Sequence, residues 1–407
     1  MERLRDRRVY IETYGCTYNH ADTGWLIGIL EGQGCTVTAD PAKADAVVIN
    51  TCTVVGWTER HMLRRIRRYA DRPLFVTGCM PVVQAHLIHD AAPDAVLIMP
   101  EEIRGRSTAA CTGVREGIGI VQVAAGCTGS CAYCITRFAR GPLWSRAADE
   151  ICREVTALVA GGVVEVQVTG QDVSAWGRDT GDELPSLIDA ISAVPGDFRL
   201  RLGMMNPATA IPIAGDLSRA IMEGKVYAFV HLPVQSGSDA VLEAMNRGYT
   251  AGEFESLVAT LRRDVPGIRI STDFITGFPT ESDEDFTASL DLLRRVRPEK
   301  VNVTRYSPRP GTPAAALKPW PERIAKERSR LLDAAAKEIY REQNAEFVGR
   351  RCEVTVTCRK RNGSVVGRDD AYREVILQGE FRPGERLCAE ITGNRTVYLT
   401  GRATASK

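Results

Sequence analysis

The chain has 407 residues, of which 44% are hydrophobic and 25% charged, and its formal net charge is +1. This is the composition of a folded globular protein, and the length predicts two or three domains. There is no run of about 18 apolar residues that could cross a membrane. The first residues, MERLRDRRVYIETYG, also lack the apolar core of a signal peptide. We therefore expect a cytoplasmic protein without a membrane partner.

Twelve cysteines are present. Because the cytosol keeps thiols reduced, a disulfide framework is not expected, and clustered cysteines indicate metal binding or catalysis instead. The balanced total charge does not exclude local basic surfaces for nucleic acid.

The first hundred residues alternate apolar, strand-like runs with helical stretches. The runs are VYIETYG, AVVINTC, PLFVTGC and AVLIM. This alternation predicts an open, mostly parallel α/β domain over residues 1–105, followed by a basic linker over 101–117.

The alternation resumes at residue 118 with six strand candidates, which are GIVQVAA, VVEVQVTG, FRLRLG, AFVHLPV, RISTDFI and KVNVTRY. Helical patterns of suitable length separate them. A closed barrel of this kind needs about eight such units. The six units therefore predict a partial (β/α) barrel over residues 118–340, whose open side admits a large substrate.

The last part of the chain, residues 344–405, has short runs such as EVTVTC, SVVGR and VYLTG between Gly and Asn turns, which predict a small β-barrel. Its basic side chains could neutralise nucleic-acid phosphates. They are Arg350, Arg351, Arg359, Lys360, Arg361 and Arg368. A second basic face, in the first domain, comprises Arg60, Arg64, Arg67 and Arg68. Either patch could instead be an ordinary solvated face.

The segment GCTGSCAYC places Cys127, Cys131 and Cys134 just after the first predicted barrel strand, where such folds carry active-site loops. Three thiolates can bind three irons of a 4Fe-4S cluster and leave the fourth iron open for a ligand. The alternative is zinc with a remote fourth ligand, or simple burial.

Three other cysteines each follow an apolar strand, namely Cys16 in ETYGC, Cys52 in INTC and Cys79 in VTGC. The carboxyl ends of parallel strands meet at one edge, so these thiols are predicted to converge into a second open cluster. The alternative for each is a buried small hydrophobe. The remaining cysteines are assigned to packing or surface, with Cys352 and Cys358 a weaker metal-binding pair. They are Cys35, Cys111, Cys152, Cys352, Cys358 and Cys388.

Polar residues at the ends of the barrel strands form the candidate pocket, because side chains there could hydrogen-bond a cofactor or substrate. They are Gln171 and Asp172 in TGQD, Arg201 in RLRLG, Gln235 and Ser236 in PVQSG, and Asp273 with Gly277 in TDFITGF. Tyr133, beside Cys134, could pack on the cofactor. Ordinary strand-end polarity, or a core role for Tyr133, is the alternative.

In their order along the chain, these motifs resemble the radical S-adenosylmethionine methylthiotransferases. The matching segments include ETYGCTYN, NTCTV, GCMP, GCTGSCAYCITRFARG, VTGQDVSAWG, HLPVQSGSDAVLEAMNRGYT and STDFITGFPTE. The resemblance implies that Cys127, Cys131 and Cys134 hold a 4Fe-4S cluster that binds S-adenosylmethionine. It also implies that Cys16, Cys52 and Cys79 hold a second, sulfur-handling 4Fe-4S cluster, and that the C-terminal barrel is an RNA-binding TRAM domain.

Members of this family insert a methylthio group at an unactivated C–H bond, using one S-adenosylmethionine to methylate sulfur and another to supply the radical. The segments RLGMMNP and NVTRYSPRPGTPAA resemble the archaeal and eukaryotic branch that modifies N6-threonylcarbamoyladenosine beside the tRNA anticodon. The resemblance implies tRNA, an electron donor and a sulfur donor as partners. His20 departs from the pattern, because an amide is expected there.

Other functions remain open at this point. The substrate could be isopentenyladenosine in tRNA or an aspartate of a ribosomal protein. A radical enzyme of another reaction would have no use for Cys16, Cys52 and Cys79. A non-catalytic iron–sulfur RNA-binding protein would bind tRNA without cleaving S-adenosylmethionine.

Overall fold

A computed structural model describes residues 2–54, 56–104, 117–360 and 362–404. Its first unit is a parallel sheet in the order β2-β1-β3-β4-β5. The strands are β1 (Arg8–Thr13), β2 (Thr36–Thr38), β3 (Ala46–Thr51), β4 (Leu74–Gly78) and β5 (Val96–Leu97). The central strands β3 and β4 are buried along their whole length, as expected for a sheet covered on both faces. The predicted parallel α/β domain is confirmed.

Five helices cover this sheet. They are α1 (Thr17–Gly32), α2 (Gly56–Arg68), α3 (Met80–Val83), α4 (Ala85–Ala91) and α5 (Pro100–Ile103). Neighbouring residues of β3 pack on opposite faces of the sheet, because successive side chains of a strand point to opposite sides. Ile49 packs with Met62 of α2, whereas Val48 packs with Leu26 of α1.

The second unit is a partial barrel of parallel strands. The strands here are β6 (Ile118–Gln122), β7 (Ala124–Ala125), β8 (Trp144–Ser145), β9 (Glu165–Thr169), β10 (Arg199–Leu202), β11 (Phe229–His231), β12 (Arg269–Thr276) and β13 (Lys300–Arg305). The sheets β6-β9-β10 and β11-β12-β13 are joined by the bridges Leu200–Val226 and Met204–His231. In the described part of the chain, β6 and β13 each pair on one side only, so the barrel is open, as predicted. The short strands β7 and β8 form a separate antiparallel pair.

Helices surround this barrel and close its core. They are α6 (Thr136–Arg140), α7 (Ala148–Ala160), α8 (Leu184–Ser192), α9 (Pro207–Ala210), α10 (Ala214–Glu223), α11 (Asp239–Ala244), α12 (Ala251–Asp264), α13 (Asp283–Val296) and α14 (Glu322–Ala345). Capping boxes at Thr250 and Ser282 begin α12 and α13 by satisfying backbone N–H groups of the first turn. Leu261 and Leu292 of these helices pack against Val230 and Ile270 of the strands.

The third unit is a closed barrel in the order β14-β15-β16-β18-β17, which confirms the predicted C-terminal β-barrel. Its strands are β14 (Arg351–Arg359), β15 (Ser364–Arg368), β16 (Glu374–Gln378), β17 (Arg386–Arg395) and β18 (Tyr398–Thr404). Val356, Leu377 and Leu399 are among its buried core residues. The proposed boundaries of the three domains stay a prediction.

One turn of the closed barrel, residues 368–373, enters the base of the partial barrel, and we call it the docking turn. The Tyr372 ring lies 4.9 Å from Tyr227 and 5.0 Å from Phe229, measured between centroids. Its hydroxyl donates to Glu165 Oε1 over 3.1 Å. The docking turn therefore lies near the amino ends of the barrel strands, away from the cysteines at their carboxyl ends.

No helix among the described residues is long and apolar enough to cross a membrane.

Candidate active site

The three cysteines of the first domain lie at the carboxyl edge of its sheet. Cys16 precedes α1, Cys52 follows β3 and Cys79 follows β4, and the strands β1, β3 and β4 are neighbours. Cys16 is exposed, whereas Cys52 and Cys79 are buried. Burial raises the pKa of the Cys79 thiol to about 11, and the nearby thiols of Cys52 and Cys16 contribute to the increase. The structure therefore brings this predicted set together, and we call it the N-terminal triad.

Buried amides hold the three loops of the N-terminal triad in place. Asn19 Nδ2 donates to the carbonyls of Tyr14 and Thr51, each over 2.8 Å. Asn50 Nδ2 donates to the Asn19 carbonyl over 2.7 Å. At Gly15 the backbone has φ +111°, and a Cβ there would lie 2.7 Å from Cys52 Cβ. Glycine is required here because the chain passes so close to Cys52.

The second set, Cys127, Cys131 and Cys134, occupies the loop between β7 and α6, and we call it the barrel triad. The Gly129 N–H donates to Cys127 Sγ over 3.2 Å. A Cβ on Gly129 would lie 3.3 Å from Cys127 Sγ and 3.9 Å from Cys131 Sγ, so the loop wraps around the sulfurs. Burial raises the pKa of Cys127 to about 11, so without a metal this thiol stays protonated at neutral pH.

The start of the barrel-triad loop is held by a predicted pocket residue. Gln171 Oε1 accepts a 2.7 Å hydrogen bond from the Gly126 N–H. Gly126 has φ +74°, and a Cβ there would lie 1.9 Å from the Pro142 carbonyl oxygen, so only glycine fits. The loop conformation is therefore set by Gly126 and Gln171 together.

Arg247 is a buried cation at the barrel triad that was not singled out from the sequence. Its Nη1 lies 3.0 Å from Cys131 Sγ, its Nη2 donates to the Pro233 carbonyl and its Nε donates to Tyr249 Oη. Among the described residues no carboxylate pairs with it. A buried cation needs a negative partner, and cysteine thiolates carrying iron would supply one. This donor set fits an iron–sulfur cluster.

A second buried arginine, Arg140, follows the barrel triad and reaches the N-terminal one. It pairs with Asp22 over 2.7 Å, donates to Asn19 Oδ1 over 3.0 Å and stacks on the Tyr18 ring at 4.6 Å. Its positive charge acts on the Cys79 thiol, whose pKa it lowers against the effect of burial. One helix, α6, thus connects the two triads.

No three His, Cys, Asp or Glu side chains in the described ranges are placed to hold a single metal ion. A zinc ion draws its sulfurs to about 2.3 Å from one centre, whereas each thiolate of a four-iron cluster binds a different iron. The zinc alternative, and the weaker pair Cys352 and Cys358, stay predictions. Cys111 lies outside the described residues.

Cys16 of the N-terminal triad and all three cysteines of the barrel triad line one cavity of about 840 Å³. Cys16 and the residues around it form one wall, the barrel triad forms another, and the cavity continues down the lumen of the partial barrel. Most of the predicted pocket residues line it, and they are Tyr133, Gln171, Asp172, Arg201, Gln235 and Asp273. His20, the departure from the family pattern, also lines the wall near Cys16.

Two predicted pocket residues do not line the cavity. Ser236 is fully buried behind it, where its hydroxyl accepts from the Ser238 N–H and shares a hydrogen bond with Ser289. Gly277 has φ +71° and faces α14, because a Cβ there would lie 2.5 Å from Ala325 Cβ. Neither residue lies at the cavity wall, because the backbone leaves regular strand conformation at both places: Gln235, which precedes Ser236, has φ +75°, and Gly277 has φ +71°.

The remaining pocket residues differ in how much hydrogen bonding they have left for a ligand. Asp172 is occupied by Ser174, Thr209 and the Asn206 N–H. Gln235 has an unusual φ of +75°, and its buried Oε1 has no hydrogen-bond partner in the described structure. A strained residue with a free polar atom beside a cavity is typical of a ligand contact.

A histidine–carboxylate pair in the lumen was missed in the sequence. His231 Nε2 lies 2.8 Å from Asp273 Oδ1, which also accepts from Asn302 Nδ2 over 2.7 Å. All three belong to neighbouring strands, and His231 and Asp273 line the cavity. The only signal for His231 in the sequence was a single polar residue within the apolar run AFVHLPV.

The predicted RNA-contacting residues are mostly on the surface. Arg350, Arg351, Arg359 and Lys360 are exposed on the closed barrel, and Lys360 pairs with Glu374 over 3.1 Å. The predicted face of Arg60, Arg64, Arg67 and Arg68 is exposed on α2. Arg361 lies outside the described residues. Arg368 is not on the outer surface, because the docking turn carries it into the cavity, where it stacks at 4.0 Å on Tyr372; its contact with RNA stays a prediction.

Three family models match the chain in succession. They are described as Uncharacterized protein family UPF0004 over residues 8–99, Radical SAM superfamily over residues 121–293, and TRAM domain over residues 345–404.

The chain is also similar to complete proteins. A Pyrococcus abyssi protein named Probable threonylcarbamoyladenosine tRNA methylthiotransferase is 38% identical, over 97% of this chain and 99% of that protein. A protein of that name from Methanothermobacter thermautotrophicus is 38% identical, over 92% and 96%. The Danio rerio Threonylcarbamoyladenosine tRNA methylthiotransferase is 34% identical, over 81% of this chain and 66% of its own.

Among solved structures, the radical S-adenosylmethionine methyltransferase TsrM from Kitasatospora setae matches with a TM-score of 0.55 and 17% identity, over 76% of this chain and 77% of that one. The Cobalamin-dependent S-adenosylmethionine radical enzyme OxsB matches with a TM-score of 0.52 and 10% identity, over 83% and 56%. At these identities the likeness shows a shared fold.

Proposed function

The chain belongs to the radical S-adenosylmethionine methylthiotransferase family, and from this membership we propose that it transfers a methylthio group to C2 of N6-threonylcarbamoyladenosine beside the anticodon of tRNA. The observation that carries the proposal is that one cavity is lined by Cys16 of the N-terminal triad and by all three cysteines of the barrel triad. A reaction that joins sulfur to a carbon atom needs a sulfur site and a radical site within reach of the same substrate.

Membership of the radical S-adenosylmethionine superfamily implies a 4Fe-4S cluster and S-adenosylmethionine. Cys127, Cys131 and Cys134 would hold that cluster, and we propose that the N-terminal triad holds a second 4Fe-4S cluster. When bound, the clusters and S-adenosylmethionine supply the sulfur, the methyl group and the one-electron chemistry.

The residues of the chain itself bind, orient and shield the cofactors and the substrate. Gln171 and Gly126 set the barrel-triad loop, and Arg247 compensates negative charge at Cys131. Gln235 offers a free amide oxygen to a donor group of the cofactor or substrate. Asp273 orients His231 at the cavity wall, where the ring could hydrogen-bond the substrate. These groups are fixed by the barrel before the substrate arrives, which lowers the cost of positioning it.

The tRNA would be held by the TRAM-type barrel and by the basic face of α2. Arg350, Arg351 and Arg359 are exposed and make no ion pair in the described structure, so they are free to contact phosphates. An external electron donor and a sulfur donor complete the reaction. We propose a cytoplasmic location, where thiols stay reduced before the clusters assemble.

Nucleoside mass analysis of tRNA tests the reaction. In cells that lack this protein, tRNA should lose 2-methylthio-N6-threonylcarbamoyladenosine and retain N6-threonylcarbamoyladenosine. Re-expression of the chain should restore the methylthio nucleoside, and a Cys127→Ala variant should not. If tRNA from the deletion strain keeps its methylthio nucleosides, the proposed substrate is wrong.

Iron and sulfide analysis tests the second cluster. The anaerobically reconstituted chain should contain close to two 4Fe-4S clusters, and Cys16→Ala should reduce the count to one. Cys152→Ala, on the outer helix α7 away from both triads, is the matched control and should keep two. A count of one in the unaltered chain would refute the second cluster.

A further inference from the structure

The lumen of the partial barrel ends in a layer of side chains far from the cysteines, and we call it the cavity floor. Ile120 of β6, Gln167 of β9 and Arg201 of β10 are register partners on adjacent parallel strands, so their side chains lie side by side. Arg368 of the docking turn completes the floor from below.

Arg201 is a cation without a counter-ion. In the described ranges its guanidinium makes no ion pair and no hydrogen bond. Its Cζ atom lies over the Phe229 ring, 5.5 Å from the ring centroid. Burial lowers the pKa of Arg201; Tyr372 and Glu165 act in the opposite direction, and the positive charge of Arg368 lowers it further. A partly desolvated cation of this kind is costly to the folded protein unless an anion joins it.

Arg368 is only loosely compensated. Its closest carboxylate oxygens, Glu165 Oε2 and Glu374 Oε2, are both 3.7 Å away, and its Nε has no hydrogen-bond partner in the described structure. The other oxygen of Glu165 is occupied by Gln167 and Tyr372. In the described structure Arg201 therefore has no carboxylate within ion-pair distance, and Arg368 beside it keeps an unused hydrogen-bond donor.

The other arginines of the cavity are already engaged. Arg309 pairs with Glu59 over 2.8 Å, Arg305 with Glu322 over 3.1 Å, and Arg247 contacts Cys131. Arg137 stacks on Phe138 beside the barrel triad. Asp273, an acid that lines the lumen, is held by His231 and Asn302. An anion at the floor would thus meet two arginines that have hydrogen-bond donors to spare.

We propose that Arg201 and Arg368 bind the carboxylate of the threonylcarbamoyl group and so select this nucleoside over those with an apolar N6 substituent; the inference rests on the function proposed above. C2 and C6 of adenine are separated by N1, so a group at C2 and a substituent on N6 leave the ring in different directions. With C2 toward the cysteines, the N6 substituent extends down the lumen. Guanidinium groups match a carboxylate in shape and charge, whereas an isopentenyl group would leave Arg201 desolvated and without an anion.

The test compares two anticodon stem-loops, one with N6-threonylcarbamoyladenosine and one with its methyl ester, which differ in a single negative charge. The reconstituted enzyme should prefer the acid by about 10- to 100-fold in kcat/KM, the range expected for hydrogen bonds to a charged group. Arg201→Gln should lower kcat/KM for the acid by about 10- to 100-fold and leave kcat/KM for the ester nearly unchanged. Arg201→Lys should recover part of the loss, and equilibrium binding of both stem-loops should follow the same order.

The matched control is Arg219→Gln. Arg219 lies on α10, does not line the cavity, and pairs with Asp189 and Glu223 on the surface. The Arg219→Gln enzyme should prefer the acid as strongly as the unaltered enzyme does. Iron content of every variant is measured, so that loss of cluster is not mistaken for loss of specificity.

The outcomes separate this inference from the proposed function. If the unaltered enzyme methylthiolates the ester as well as the acid, or if Arg201→Gln keeps the full preference, carboxylate recognition by the floor is refuted while the proposed function stands. If the unaltered enzyme modifies neither stem-loop but modifies another tRNA, the proposed function is refuted and this inference with it.

Discussion

Arg247 and Arg140 are buried cations, one at each cysteine triad. Arg140 has a carboxylate partner, Asp22, whereas among the described residues Arg247 has only the sulfur of Cys131, a carbonyl and a phenol. The difference indicates that the negative partner of Arg247 is the thiolate-bound group itself. At the scale of single residues, the charge balance of the barrel triad is incomplete without that group.

Arg247→Gln should make the reduction potential of the barrel cluster more negative, because a positive charge next to the cluster favours the reduced state. A charge lost at about 5 Å in a medium of effective dielectric constant about 20 changes the potential by on the order of 100 mV. A potentiometric titration followed by electron paramagnetic resonance measures it. Arg262→Gln, an arginine on α12 bonded to Glu299 and backbone carbonyls, is the control. An unchanged potential at full iron content would show that Arg247 does not compensate the cluster.

At the scale of elements, helix α2 positions the loop that carries Cys52. The Cys52 N–H points at Met62 Sδ, 3.1 Å away on α2. The helix is tied to the sheet by Arg65, whose Nε donates to Glu12 Oε2 over 2.9 Å. Tyr14 and Tyr69 also donate to the Glu12 carboxylate. Burial alone would raise the pKa of Glu12, but these hydrogen bonds, foremost that from Arg65, bring it below its ordinary value.

Glu12→Gln should loosen α2 by about 1–3 kcal/mol, the cost of losing hydrogen bonds to a charged group. Because the folded state lowers the pKa of Glu12, the stabilisation is present at neutral pH and is lost only as the pH falls below about 4. Amide hydrogen exchange in α2, compared at pH 7, 5 and below 4, measures the difference. Glu31→Gln, on the exposed face of α1, should show none. Equal protection of α2 in Glu12→Gln and the unaltered chain at pH 7 would contradict the prediction.

At the scale of the whole molecule, the docking turn couples the closed barrel to the cavity. Tyr372 packs on Tyr227 and Phe229, and the Ala228 N–H donates to the Asp370 carbonyl over 2.8 Å. The same turn brings Arg368 to the cavity floor. The barrel that carries the proposed RNA-contacting residues therefore also contributes Arg368 to the cavity of the proposed reaction.

Tyr372→Ala should weaken this junction by about 3–5 kcal/mol, as for other buried aromatic rings that are truncated. Hydrogen exchange in residues 226–231 should rise, and activity on tRNA should fall because Arg368 is displaced. Tyr372→Phe keeps the ring and loses only the hydrogen bond to Glu165, so it should stay close to the unaltered protein. Unchanged exchange in Tyr372→Ala would show that the turn does not hold the two barrels together.

The sequence by itself determined the three-part architecture and both cysteine triads. Apolar alternation specifies strands and helices locally, and the phase of Cys16, Cys52 and Cys79 after their strands predicts one sheet edge, because parallel strands end there together. The short spacing of Cys127, Cys131 and Cys134 likewise requires no knowledge of distant contacts. These features depend on residues that are neighbours in the chain or that share one repeating pattern.

Only the tertiary structure decided which polar side chains reach the cavity. Ser236 and Gly277 turn away from it, while Arg247, His231 and Arg368 join it. A shift of one residue reverses the direction of a strand side chain, and motif spacing does not specify that direction outside regular alternation. Arg368 reaches the floor through a turn that packs on strands more than a hundred residues away in sequence. Such a contact depends on how two folded units dock, which no local pattern records.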